Sequence, residues 1–125
     1  MTIAKAIEAF DREYRNTIPK MLKTYWLTTL DRTVFEDIIA THAPSASDTQ
    51  PSFLPDDYTD TTVLLIPDSH ANVYLRFLSM KADLYHSDVA RDNNDSILFF
   101  TAYDEYEKHY NRTNMPLKRV KSFNI

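Results

Sequence analysis

A chain of 125 residues without a single glycine lacks the residue that most readily turns a backbone sharply. Glycine reaches positive φ at little cost because it has no Cβ, and tight two-residue hairpins and phosphate-cradling loops rely on it. Its absence removes the P-loop and the dinucleotide-binding fingerprint. It also weighs against a β-meander or small β-barrel and in favour of helices joined by polar loops. The expected fold class is all-α: a small helical bundle.

The length suits one hydrophobic core, since two cores would each be marginal. Cysteine is absent as well, which excludes disulfides, thiolate metal sites and a cysteine nucleophile and fits a reducing compartment. No run approaches the roughly 20 apolar residues that span a bilayer, so neither a leader nor a membrane span is expected.

Hydrophobic periodicity divides the chain. Ile3, Ala6, Ile7 and Phe10 share a face, with Thr2 as a candidate N-cap, so residues 2–14 form a first helix. Pro19 suits the first turn of a second, in which Met21, Leu22, Tyr25, Trp26 and Leu30 follow at helical spacing. Asp31 can cap a third, where Val34, Phe35, Ile38 and Ile39 form an apolar face ending near His42. Pro44, Pro51, Pro55 and Pro67 then forbid a regular helix, making residues 43–69 a long Pro/Asp-rich loop. Its apolar piece, Val63-Leu64-Leu65-Ile66, reads as a short strand or a plug for the core.

Ser69 can cap a fourth helix reaching about Arg91, with Val73, Tyr74, Phe77, Leu78, Met80, Leu84 and Tyr85 as a wide stripe. The polar run at 92–95 supplies a corner and N-cap candidates for a fifth helix to about Tyr110, whose face carries Phe99, Tyr103, Tyr106 and Tyr110. These two long helices should pair as an antiparallel hairpin. Pro116 bars the fifth helix from continuing towards the C-terminus. The expected organisation is one helical domain over 1–111, containing the 43–69 loop, and an extended basic tail over 112–125.

Charge is informative by location. Between Arg32 and Arg76 there is no Lys or Arg, yet Glu36, Asp37, Asp48, Asp56, Asp57, Asp60 and Asp68 fall there. After Asn111 the sign reverses with Arg112, Lys118, Arg119 and Lys121. Such a tail has three readings: docking on another subunit with Phe123 and Ile125 as apolar anchors, contact with DNA phosphates, or a solvated terminus.

No catalytic, cofactor or metal constellation can be named. His42, His70, His86 and His109 are scattered without the i, i+4 spacing of a zinc helix. His86 lies one turn from Asp83, a spacing more typical of a solvated surface pair. Asp56, Asp57 and Asp60 lack the Gly and terminal Glu of a calcium loop. Trp26 and the tyrosines have the spacing of a core stripe.

Several segments occur in an order that carries a resemblance. They are Trp26-Leu27 with Leu30-Asp31, Val34-Phe35-Glu36-Asp37-Ile38-Ile39, Leu64-Leu65-Ile66-Pro67, Val73-Tyr74-Leu75-Arg76-Phe77-Leu78, the acidic and Asn-rich corner, and residues 99–110 followed by Asn111-Arg112. This order resembles the small head-tail connector, adaptor or head-completion proteins of long-tailed bacteriophages. The resemblance implies a non-enzymatic virion protein, made in the host cytoplasm and placed in the neck. It would form a homo-oligomeric ring, commonly a dodecamer, that docks under the portal protein and meets a tail-side stopper while DNA passes through without specific binding.

On that reading Arg112, Lys118, Arg119, Lys121, Phe123 and Ile125 would make the subunit or portal interface. Asp48, Asp56, Asp57 and Asp60 would form an acidic loop or lumen that repels phosphates. The alternative is a small acidic phage-encoded module that binds and inhibits a host protein.

Overall fold

The structure, a computed structural model, describes residues 1–40 and 58–113. Among them four α-helices carry the chain: α1 (Ile3–Glu13), α2 (Lys20–Val34), α3 (Asn72–Tyr85) and α4 (Val89–Thr113). A π-helical turn, Phe35–Ile39, continues α2, and a 3₁₀ turn, Asp68–His70, leads into α3. No strand occurs among the described residues, so the all-α class holds.

Helix α1 buries the expected face of Ile3, Ala6, Ile7 and Phe10, and the Thr2 hydroxyl caps it by accepting from the Lys5 amide at 3.2 Å. A helix leaves its first amides without internal partners. Here the returning segment supplies them: the Ile3 and Ala4 amides donate to the carbonyls of Thr62 and Asp60, each at 3.0 Å. Thr2 and Val63 form an isolated antiparallel bridge. Of the apolar run 63–66, Leu64 and Ile66 are buried while Val63 faces out, so the run is a plug with a one-residue bridge.

Helix α2 departs from expectation in three ways. It is continuous through Asp31, which caps nothing, and Pro19 sits just before the first turn. Its buried residues are Lys23, Leu27, Thr28, Leu30, Asp31 and Val34; of the expected face Leu30 is buried and Leu22 and Trp26 pack against the core, whereas Met21 and Tyr25 are exposed. Two charged residues occupy the core face because each has partners. The Lys23 ammonium donates to Asp11 Oδ1 at 2.7 Å and to Asn16 Oδ1 at 3.2 Å. Asp31 accepts from the Tyr74 hydroxyl at 2.6 Å and the Leu65 amide at 3.1 Å. The wider π turn, closed by the Ala40 amide on the Phe35 carbonyl, then lets Phe35 and Ile38 follow Val34 into the interior.

Helix α3 is central, packing on α1, α2 and, most extensively, α4. The α3–α4 pair is antiparallel, since Phe77 meets Phe99 near the middle while His70 meets Tyr106 and His109 at the open end. Its corner is not at 92–95. Helix α3 ends at Tyr85 instead of near Arg91, it is preceded by the 3₁₀ turn and not capped by Ser69, and residues 92–95 lie inside α4.

Ser87, at φ 59°, makes the stop. Its amide donates to the Leu84 carbonyl and the Asp88 amide to the Asp83 carbonyl, which is the Schellman pattern. Asp88 then starts α4, its carboxylate accepting from the Arg91 amide at 3.2 Å. A left-handed non-glycine residue costs about 1 kcal/mol. Ser87→Gly is therefore expected to raise stability by about 0.5–1 kcal/mol in urea unfolding, and a loss of stability would show that Ser87 makes a compensating contact.

Candidate interaction surface

Helix α4 lies on α3 and makes little contact with α2, which leaves a groove along α2. The groove has a volume of about 250 Å³ and is lined by Thr29, Leu30, Thr33 and Asp37 on one side and by Phe77, Phe99, Phe100 and Tyr103 on the other. Phe99 is buried, whereas Phe100, one position on, is 62% exposed. The Tyr103 hydroxyl is buried without a hydrogen-bond partner among the described residues. Burial raises its pKa to about 12, and the carboxylates of Asp37 and Glu107 add to the rise. The result is an apolar channel with an unsatisfied donor inside and negative charge nearby.

A second surface lies at the corner end of the hairpin. Met21 and Tyr25, one turn apart on α2, are 71% and 51% exposed. Beside them Trp26 meets Tyr85 edge-on, with ring centroids 6.5 Å apart, and Tyr85 and Leu84 are also more than half exposed. Val89 and Ile97 extend the outward apolar character along α4. Single exposed hydrophobics are ordinary, but neighbouring aromatic ones mark places where another surface settles.

Under this end sits a titratable cluster. Asp83 is fully buried, and its Oδ1 accepts from the Tyr14 hydroxyl at 2.9 Å. Arg91 Nε lies 3.8 Å from the same oxygen, and the guanidinium stacks 4.6 Å above the Tyr14 ring. Asp83 Oδ2 is buried with no donor among the described residues, and it shares a hydrogen bond with the Asp95 carboxyl once one of the two is protonated. Burial pushes the Asp83 carboxyl up to about 6, and the Asp95 contact adds to this while Tyr14 opposes it. His86 stacks on Tyr14 and meets Tyr85 edge-on rather than pairing with Asp83.

The Asp31 site is structural. The Tyr74 hydroxyl donates to Asp31 and accepts from the Ile66 amide at 2.7 Å, and with the Leu65 amide on the other carboxylate oxygen this closes a buried knot. Burial raises the Asp31 carboxyl to about 6 against the opposing effect of those two donors. Among the described residues no group of three or more His, Asp or Glu is placed to hold a metal ion. No helix among them is long and apolar enough to cross a membrane.

Of the residues expected at an interface, Arg112 is described. It lies in the last turn of α4 rather than in an extended tail, so the helix runs past the boundary expected at 111. Of the acidic residues, Asp60 is described. It is exposed, and its carboxylate pairs with Lys20 at 2.7 Å, tying the returning segment to the start of α2. Asp48, Asp56, Asp57, Lys118, Arg119, Lys121, Phe123 and Ile125 lie outside the described residues.

Nothing in the sequence marks the groove or the exposed aromatics. The tyrosines and Trp26 have core spacing, and the signal that separates Phe100 from Phe99 is only that a helix cannot bury both of two adjacent positions on one face. No family model matches the chain, and no curated protein and no solved structure matches it.

Proposed function

We propose that the chain is a ring-forming subunit of a phage head-tail connector, docked under the portal and passing DNA without binding it specifically. The observation that carries this reading is the outward-facing aromatic surface at the corner end of the hairpin, where Met21, Tyr25, Leu84 and Tyr85 are each more than half exposed. An enzyme would need a cleft with convergent polar groups, whereas this surface is outward-facing and apolar. Self-association into a closed ring covers such a surface on every copy with the same contact repeated.

The test is native mass spectrometry of the chain alone and with its portal protein. The wild type is expected to appear as multimers of the 14.6 kDa chain, free or portal-bound. Tyr25→Glu with Tyr85→Glu should weaken that association by at least about 2 kcal/mol, roughly thirtyfold, because buried tyrosines anchor interfaces. Monomers under both conditions, or multimers indifferent to the two substitutions, would count against the ring.

A further inference from the structure

We infer that the groove between α2 and α4 is the docking site of the chain's own C-terminal segment, residues 114–125, in the free subunit. The groove shares no lining residue with the aromatic surface at the corner end, so this docking stands apart from the ring reading.

The groove sets the requirements. It needs apolar side chains to lie over Phe99 and Phe100, an acceptor for the orphaned Tyr103 hydroxyl, and positive charge opposite Asp37. Two stretches of the chain border the described residues. Residues 41–57 leave from just beyond Asp37, but they carry Asp48, Asp56 and Asp57 and no Lys or Arg, so they would bring acid to acid. Residues 114–125 carry Lys118, Arg119 and Lys121 and no acid, interleaved with Leu117, Val120, Phe123 and Ile125. An extended segment of that pattern can place apolar side chains in the channel, basic ones at its rim, and a backbone carbonyl at the Tyr103 hydroxyl.

Reach decides between this chain and a neighbour. The segment starts where α4 ends at Thr113, ten residues beyond Tyr103, or about 15 Å along a helix. Twelve residues span up to about 40 Å when extended, enough to turn back and run the length of the groove. Tethering then supplies an effective concentration of about a millimolar, which a free neighbour in dilute solution does not match.

The sequence has no cysteine, so Asn124→Cys gives one attachment point for a nitroxide on the full chain. In a ¹⁵N-labelled sample the amides of Thr33, Phe99, Phe100 and Tyr103 are expected to lose most of their intensity relative to the reduced label. That loss should vanish in Asp37→Lys, and it should shrink as sodium chloride is raised in the unsubstituted background, a reading that stands if the variant fails to fold. Comparable loss when nitroxide-bearing chains at natural isotope abundance are mixed with ¹⁵N chains lacking the nitroxide would move the segment to a neighbour and overturn the inference. So would loss at other residues alone, no loss, or a loss indifferent to both charge reversal and salt.

Discussion

Asp31→Ala is expected to lower the unfolding free energy by about 2–4 kcal/mol, because it strands two buried donors together. The Leu65 amide loses its acceptor, and the Tyr74 hydroxyl, still accepting from Ile66, has nowhere to donate. For a chain of this size such a loss lowers Tm by roughly 10–15 °C. Tyr74→Phe attacks the same knot from the other side and should cost a comparable amount, about 2–3 kcal/mol. The pair acts as one unit, so the double variant should fall short of the sum by at least about 1 kcal/mol. Hydrogen exchange should report early loss of protection at Leu65 and Ile66 in either variant. Additive effects, or a cost below about 0.5 kcal/mol, would show that the knot does not hold the returning segment to the core.

Acidification from pH 7.5 to 5 is expected to stabilise the protein, the reverse of ordinary acid denaturation. Asp31 and Asp83 both have folded-state pKa values raised by burial to about 6, against an unfolded value of 3.8. A raised carboxyl takes up its proton more readily in the folded chain. Its contribution is therefore largest below pH 4 and is lost as pH rises through 6. Between pH 5 and 7.5 Asp31 contributes about 1 kcal/mol, and the Asp83–Asp95 pair adds to the shift in the same direction. Urea titrations at pH 5, 6 and 7.5 measure this directly. Asp83→Asn should reduce the slope and leave the share of Asp31, since the amide stays neutral throughout. A flat profile, or stability that rises towards pH 7.5, would mean that the donors around both carboxylates outweigh their burial.

The periodicity of α1, the core faces of α3 and α4 and the antiparallel hairpin are legible in the sequence because they rest on apolar spacing alone. Ile3, Ala6, Ile7 and Phe10 are buried, and so are Val73, Tyr74, Phe77 and Leu78, but Leu84 and Tyr85, expected in the same stripe, are more than half exposed in the last turn of α3. Sequence and structure part where polar residues do something hydropathy does not encode. Lys23 and Asp31 belong to the buried face of α2 because partners distant in sequence or across the fold satisfy them, so the face expected from Met21 and Tyr25 is rotated towards solvent.

The corner of the hairpin differs for a related reason. Asp and Asn at 92–95 are good caps in the abstract, but Asp88 comes first and has the left-handed Ser87 before it to end α3. A serine in that conformation has no sequence signature when glycine is missing from the whole chain. Arg112 belongs to α4 and not to a tail because α4 reaches Thr113, stopping short of Pro116. The groove depends on how far α4 stands from α2, a distance that no local pattern carries.

The ring reading joins these observations to the resemblance carried by the order of the sequence segments. It makes one demand that the fold alone does not: the aromatic surface at the corner end must be covered by another copy. Cryo-electron microscopy of the neck complex containing this chain tests that most directly. A ring between portal and tail, with Tyr25 and Tyr85 buried against the next subunit, is the predicted result. A neck complete without this chain, or a ring in which those tyrosines face solvent, would contradict it and favour a host-directed binding module.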